Sequence, residues 1–281
     1  MSHSTSILGL LRLVPALLTM TAVAAATSLA PQSAHAASGS KPRPTVVLVH
    51  GAFADASSWN GVTATLQSQG FPVVAVPNPL RSLSGDAAYV AGVLSSIAGD
   101  IVLVGHSYGG AVITNAALGK VNVKALVFVA AFAPDTGETA LALSSKFPGS
   151  TLGEALGLPV ALTGGGKDLY IQPAKFHLQF AADLAERDAG LMAAGQRPIT
   201  EAALTEGSGP PAWKTIPSWF IHGDADKNIP QAALRFMAQR AGSRRTVEIK
   251  GASHVVMTSH PAEVAQIIVE AASADMDVAA R

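Results

Sequence analysis

The sequence predicts an α/β domain built on an open, mostly parallel sheet of about six strands, with helices on both faces. Short runs of four to seven apolar, often β-branched residues recur along the chain, and segments of helical length separate them. The runs are apolar throughout rather than alternating, which is typical of parallel strands buried on both faces. Of the 281 residues, 49% are hydrophobic and 14% charged, so the chain can form a sizeable core.

Six runs bounded by Gly, Pro or Asp are predicted as strands, and in chain order they are 45–50, 71–76, 100–105, 124–130, 216–222 and 244–250. Five segments are predicted as helices, and they are 57–69, 83–98, 108–119, 231–241 and 261–273. The last helix has Pro261 in its first turn, where proline is tolerated. This alternation of strand and helix predicts one sheet covered on both sides.

The interval from Ala133 to Pro217 breaks the alternation, because a single crossover helix would suffice there. We interpret residues 134–215 as an insertion, mostly helical around 174–195, that forms a lid over the strand ends. A separate small domain is the alternative. The interval has too few strongly apolar periodic segments for a core of its own, which favours the lid.

The N-terminal segment has the features of an export signal. Residues 13–30 are an uncharged, Ala- and Leu-rich run behind Arg12, and Ala34-His35-Ala36 has the small-x-small form of a signal peptidase site. We therefore predict a signal peptide at 1–36 and an exported mature domain at 37–281, secreted or periplasmic. A membrane span is the alternative, but the run is short and weakly hydrophobic.

Charge and motifs exclude several classes of partner. Lys plus Arg and Asp plus Glu both number 19, and no basic stripe occurs, so no nucleic-acid partner is expected. We expect no membrane association after signal cleavage and no cofactor, because no dinucleotide, flavin or metal motif is present. Four histidines follow predicted strands without metal-ligand spacing, namely His50, His106, His222 and His254. The oligomeric state stays open.

The candidate nucleophile is Ser107. It is the centre of Gly105-His106-Ser107-Tyr108-Gly109, which lies between a predicted strand and a predicted helix. In a G-x-S-x-G turn of this kind a strained backbone presents the serine at the carboxyl edge of the sheet. The flanking glycines avoid collisions with neighbouring elements. An incidental serine at a glycine-rich helix start is the weaker alternative.

A serine hydroxyl needs a general base, which hydrolases with this turn take from late in the chain. His254 and His260 are the only histidines beyond the last predicted strand. His254 follows that strand directly, so we expect it at the same sheet edge as Ser107. His260 begins the final helix and is predicted to be a surface or capping residue.

The third catalytic residue must orient the imidazole and stabilise its cation. Asp226 is predicted for this role, because Gly223 allows a tight turn after the strand and the G-x-x-D spacing selects the later acid. Asp224 is the first alternative. Asp135, which follows the strand at 124–130, is a more distant one.

Attack on an acyl carbon creates an oxyanion that needs two preorganised N–H donors. The backbone N–H of Tyr108, which follows the nucleophile, is predicted as one donor. The second follows the first strand in His50-Gly51-Ala52-Phe53, and we assign it to Ala52, with Phe53 as the alternative. His50 is expected to pack and to shape this loop.

Taken in order, H-G-A-F, G-H-S-Y-G-G, G-D-A-D and S-H resemble the α/β-hydrolase superfamily. The chain is similar to small bacterial hydrolases of the plant methylesterase and hydroxynitrile lyase branch. The resemblance implies the α/β-hydrolase fold with a lid. Val255 follows His254 where the lyases carry Lys, which argues against cyanohydrin cleavage.

We therefore expect an exported serine carboxylesterase that cleaves esters of small to medium apolar acyl or aryl groups through an acyl-enzyme. The apolar side chains of the insertion favour such substrates, although they would also serve simply to pack it on the sheet. Two alternatives stay open. The same triad could open lactones, cleave C–C bonds or catalyse perhydrolysis, and a catalytically silent binding protein could share the fold.

Overall fold

The computed structural model describes residues 42–274, so the predicted signal peptide lies outside the described residues. The nine strands of this range, in chain order, are β1 (Thr45–Val49), β2 (Val73–Val76), β3 (Ile101–His106), β4 (Val123–Val129), β5 (Val160–Ala161), β6 (Lys167–Leu169), β7 (Ile199–Thr200), β8 (Ser218–Gly223) and β9 (Arg245–Ile249). No helix within 42–274 combines the length and the apolar character that crossing a membrane requires.

The α-helices of the same range are α1 (Asn60–Ser68), α2 (Leu83–Ser95), α3 (Tyr108–Ala116), α4 (Ala140–Ser145), α5 (Leu152–Ala155), α6 (Pro173–Phe180), α7 (Glu186–Gly195), α8 (Glu201–Thr205), α9 (Gln231–Arg240), α10 (Val256–Ser259) and α11 (Pro261–Ser273). Short 3-10 helices precede α1 and β8, at Ala56–Trp59 and Ala212–Lys214.

The main sheet confirms the predicted α/β class. Its six strands lie in the order β2-β1-β3-β4-β8-β9, and every neighbouring pair is parallel. Each strand falls within two residues of its predicted bounds, and β3 is buried along its whole length because helices cover both faces. The predicted helices are also present, although α2 and α3 each end three residues early.

The strand order determines where a site can form. From β1 the chain moves to β2 on one side and then to β3 on the other, so the order reverses between β1 and β3. In open parallel sheets the crevice beyond the carboxyl ends at such a reversal is the usual binding site. Residues that directly follow β1 and β3 therefore lie at this crevice.

The insertion between β4 and β8 is more elaborate than predicted. It contains α4 to α8, with α6 and α7 where helices were expected, and also an antiparallel sheet in the order β5-β6-β7. That small sheet was not predicted, because its strands are only two or three residues long. The described residues, those of the insertion included, belong to one compact unit.

Candidate active site

Ser107 lies at the turn between β3 and α3 in a strained backbone conformation, with φ 52° and ψ −123°. Such a conformation costs a non-glycine residue about 1–3 kcal/mol and persists only where neighbours hold it. The Ser107 N–H donates to the carbonyl oxygen of Val129 (3.2 Å), and its own carbonyl accepts from the N–H groups of Gly110 (3.0 Å) and Phe132 (3.1 Å). These bonds hold the strained turn.

The glycines around Ser107 are required by close backbone approach. A Cβ added at Gly105 would lie 2.6 Å from the carbonyl oxygen of Gly109. One added at Gly109 would lie 2.5 Å from the oxygen of Val49, and one at Gly110 2.3 Å from that of Phe132. Real Cβ atoms do not approach so closely, which confirms the steric role predicted for the flanking glycines.

His254 and Asp226 form a buried pair. Nδ1 of His254 lies 2.6 Å from Oδ2 of Asp226, and their side chains are 1% and 0% exposed. Oδ1 of Asp226 accepts from the N–H groups of Asn228 (2.7 Å) and Ile229 (3.0 Å). An ionised carboxylate fixed in this position favours the tautomer with the hydrogen on Nδ1, which leaves Nε2 without one.

The two alternative acids are engaged elsewhere. Oδ1 of the exposed Asp224 accepts from the N–H of Gly251 (2.6 Å) and so ties the loop after β9 to the loop after β8. Asp135 forms an ion pair with Lys214 (2.6 Å), and this hydrogen bond lowers the pKa of the Asp135 carboxyl. The structure therefore brings Asp226, the predicted acid, to His254.

Ser107 and His254 border the same cavity, together with Ala52 and Tyr108. The cavity has a volume of about 50 Å³, room for only a few water molecules. Its other lining residues come from the strand ends and the insertion, and they are Phe53, Phe132, Ala140, Leu141, Ser144, Leu152, Phe180, Leu204, Asn228 and Ile229. Four of the five predicted site residues thus border one small chamber with mostly apolar walls.

The backbone around Ala52 distinguishes the two candidate oxyanion donors. The N–H of Phe53 donates to the carbonyl oxygen of Arg197 (2.9 Å), whereas that of Ala52 has no acceptor among residues 42–274. Tyr108 is the first residue of α3, so its N–H has no carbonyl partner within the helix. Of the three candidate donors, the N–H groups of Ala52 and Tyr108 are therefore the ones left available, whereas that of Phe53 is already occupied.

The other strand-end histidines are buried and held by the backbone. His50, His106 and His222 each place one ring nitrogen 2.9–3.3 Å from a backbone carbonyl oxygen, which for His106 is that of His254. Burial lowers the pKa of all three, to about 4 for His50. Nε2 of His50 accepts from the N–H of Asn78 (3.0 Å), in line with the predicted loop-shaping role. The described residues contain no group of three or more side chains arranged to hold a metal ion.

Two polar contacts beside the site were not predicted. The hydroxyl of Tyr108 donates to Oδ2 of Asp86 (2.9 Å), and burial raises the pKa of that carboxyl. Ser253 donates to the Asp183 carboxylate, whose other oxygen lies 3.7 Å from Nδ1 of His260. The sequence feature that could have indicated the Asp86 contact is the presence of this acidic residue within the apolar pattern of the predicted helix 83–98.

Sequence comparisons place the chain among known hydrolases. The model of the alpha/beta hydrolase family matches residues 46–267. An esterase of rice, PIR7B, is 26% identical over 81% of this chain and 95% of its own length. An alpha-hydroxynitrile lyase of Arabidopsis thaliana is also 26% identical, over 76% of this chain and 92% of its own. Relatives of equal identity therefore carry different activities.

A solved structure confirms the fold. The crystal structure of polyneuridine aldehyde esterase superposes with a TM-score of 0.70 and covers 81% of this chain and 98% of that protein. The two sequences are 22% identical, so the likeness concerns the architecture.

Proposed function

The chain belongs to the alpha/beta hydrolase family, and from this premise we propose that it hydrolyses carboxylic esters through an acyl-enzyme formed on Ser107. One observation carries the proposal. His254, which is paired with the buried Asp226, borders the same cavity as Ser107, a serine in a strained strand-to-helix turn. A nucleophile, a base and a group that orients the base are what acyl transfer by serine requires.

In the first half of the reaction Nε2 of His254 takes the proton of Ser107 as Oγ attacks the ester carbonyl. The carbonyl oxygen becomes an oxyanion that accepts hydrogen bonds from the N–H groups of Ala52 and Tyr108, each worth about 3 kcal/mol in the transition state. Asp226 stabilises the imidazolium. His254 then gives the proton to the leaving oxygen, so that the alcohol departs and the acyl group stays on Ser107.

In the second half a water molecule attacks the acyl-enzyme. His254 takes a proton from this water and returns it to Oγ of Ser107, which releases the carboxylic acid and restores the enzyme. The same two N–H groups stabilise the second oxyanion. No step requires a metal or a cofactor.

The cavity supports neutral esters with a small acyl group as substrates. Within the described residues its lining includes no Asp, Glu, Lys or Arg, so a charged acyl group would lose its hydration without gaining an ionic partner. Its volume of about 50 Å³ favours the short end of the acyl range. Longer acyl chains would need the insertion to move.

Cyanohydrin cleavage is the second candidate, because one relative bears that activity in its name. Val255, which follows His254, is completely buried and supplies no ammonium group beside the imidazole. This supports hydrolysis over lyase chemistry. Product analysis with mandelonitrile separates the two, because a lyase would release benzaldehyde and cyanide.

Hydrolysis of p-nitrophenyl acetate and butyrate by the wild type and by Ser107→Ala tests the proposal. We expect kcat to fall by at least 10³-fold in Ser107→Ala. Ser145→Ala is the matched control, because Ser145 is an exposed serine on α4 that only donates to the carbonyl oxygen of Leu141 (3.0 Å). Equal rates for the wild type and Ser107→Ala would refute the proposed function.

We also propose that the protein is exported and that its signal is removed after Ala36. The support is the sequence of residues 1–36 alone. Expression of the full chain followed by N-terminal sequencing of the protein outside the cytoplasm tests this. A mature N-terminus at Ala37 is expected, and an uncleaved chain retained in the cell would contradict it.

A further inference from the structure

The turn between α6 and α7 is bonded to Ser253, the residue that precedes His254. Oγ of Ser253 donates to the carboxylate of Asp183 and lies 3.3 Å from the carbonyl oxygen of Phe180. Asp183 and Phe180 belong to the insertion, whereas Ser253 belongs to the loop after β9. Ser253 is 2% exposed, so water has little access to this contact. We call it the Ser253–Asp183 clamp, and it joins the insertion to the loop that carries His254.

The clamp depends on a single hydroxyl group. Within residues 42–274 the second carboxylate oxygen of Asp183 has no hydrogen-bond donor, and Nδ1 of His260 lies 3.7 Å from it. A hydrogen bond to a carboxylate is about twice as strong as one between neutral groups. Without the Ser253 hydroxyl the largely buried carboxylate would have no donor, so it would turn outward to water. Loss of either partner therefore releases the turn between α6 and α7.

Phe180 is the residue of the insertion that the clamp holds at the active site. It is 1% exposed and lines the same cavity as Ser107 and His254. The centroid of its ring lies 5.1 Å from that of the His254 imidazole and 6.1 Å from that of the Phe53 ring. A chamber of about 50 Å³ bounded by this ring has room for a short acyl group, so a longer chain requires the ring to move. Because Phe180 lies three residues before Asp183, the position of its ring depends on the clamp.

We propose that Asp183 and Ser253 are specificity-determining residues, because their clamp keeps Phe180 in the chamber wall and so restricts the enzyme to short acyl groups. This inference rests on the proposed ester hydrolysis. Neither Asp183 nor Ser253 lines the chamber, so both act through Phe180 rather than by touching the substrate. His254 keeps its separate bond to Asp226 when the clamp is broken. Release of the clamp therefore widens the acyl range while the catalytic groups stay in place.

The test compares kcat/KM for p-nitrophenyl hexanoate with that for p-nitrophenyl acetate, which share the leaving group. We expect this hexanoate-to-acetate ratio to rise at least fivefold in Asp183→Ala and in Ser253→Ala, because either change removes the clamp. The double variant should match the single variants within twofold, since the same bond is lost only once. Asp188→Ala is the matched control, because Asp188 is an exposed acid in the first turn of α7, and its ratio should stay within twofold of the wild type.

Phe180→Ala tests whether the clamp acts through the Phe180 ring. This change opens the chamber wall directly, so the hexanoate-to-acetate ratio should rise at least fivefold with the clamp intact. Adding Asp183→Ala to Phe180→Ala should then change the ratio by less than twofold. A further rise of fivefold would contradict a route through Phe180. Phe180→Leu serves the same comparison if Phe180→Ala does not fold, which urea denaturation establishes.

The outcomes separate this inference from the proposed function. An unchanged hexanoate-to-acetate ratio in both Asp183→Ala and Ser253→Ala would overturn the role of the clamp while ester hydrolysis stands. An equal loss of activity on both esters would overturn it too, because Asp183 would then support the chemistry rather than the selectivity. A wild type without Ser107-dependent hydrolysis of either ester would instead overturn the proposed function itself.

Discussion

Oδ2 of Asp226 lies 2.6 Å from Nδ1 of His254, and neither side chain reaches solvent to more than 1%. A buried carboxylate in this position holds the tautomer that leaves Nε2 able to accept a proton. The pair is possible because two backbone N–H groups occupy the other carboxylate oxygen. The role of Asp226 can be separated experimentally from that of the neighbouring Asp224.

Asp226→Asn should lower kcat about 10⁴-fold while the fold persists, because an amide favours the wrong imidazole tautomer. Asp224→Asn is the matched control. Asp224 bonds only the N–H of Gly251, and an Asn oxygen can still accept that bond, so kcat should change less than threefold. Steady-state kinetics on p-nitrophenyl acetate measures both, and equal losses would contradict the assignment of Asp226.

Tyr108→Phe should separate the contribution of the Tyr108 hydroxyl from that of the Tyr108 backbone N–H. The change removes the hydrogen bond to the buried Asp86, so the free energy of unfolding should fall by about 1–3 kcal/mol. The backbone N–H remains, so kcat should stay within about fivefold of the wild type. Urea denaturation and kinetics measure the two effects, and a large loss of kcat with unchanged stability would show a direct role for the hydroxyl.

Gly110→Ala should destabilise the protein and impair catalysis together. The new Cβ would lie 2.3 Å from the carbonyl oxygen of Phe132, so the turn at Ser107 must shift, at a cost of about 1–3 kcal/mol or more. Gly92→Ala on α2 is the control, because a Cβ there has open space. Replacing a glycine within a helix by alanine should raise the free energy of unfolding by about 0.5–1 kcal/mol. Thermal unfolding of both variants checks the difference, and a Gly110→Ala protein as stable as the wild type would contradict the packing described.

The lowered pKa of the buried His50 should make the free energy of unfolding depend on pH. Burial lowers the pKa of His50 to about 4, whereas an unfolded histidine titrates near 6.5. Between these values the unfolded state binds the additional proton, so the stabilising contribution is complete above about pH 6.5 and is lost as the pH falls toward 4.

His50→Gln removes this titration. Between pH 7 and pH 4.5 the free energy of unfolding of the variant should therefore fall by about 2 kcal/mol less than that of the wild type. Urea denaturation at the two pH values measures both slopes. Parallel slopes would show that His50 is not held neutral by burial.

The sequence patterns predicted the main sheet, and which residues lie together at its carboxyl edge, for a physical reason. Parallel strands must be apolar on both faces, and the turn at Ser107 needs glycines where it closely approaches neighbouring carbonyl oxygens. Both features can therefore be recognised in a short stretch of sequence. The order of strand ends then predicts which residues share an edge.

Other features depend on contacts between residues far apart in the chain, so no short sequence pattern indicates them. The N–H of Phe53 is occupied by the carbonyl oxygen of Arg197, which the insertion brings to the loop after β1. The contact of Asp86 with Tyr108 joins α2 to α3. The small antiparallel sheet has strands too short for any periodic pattern.

Mass spectrometry of the protein after treatment with a fluorophosphonate tests whether Ser107 is a nucleophile activated by His254. We expect one adduct per chain, located on the peptide that contains Ser107, absent in Ser107→Ala and formed at least 100-fold more slowly in His254→Ala. No adduct on Ser107 in a protein that still hydrolyses esters would contradict it.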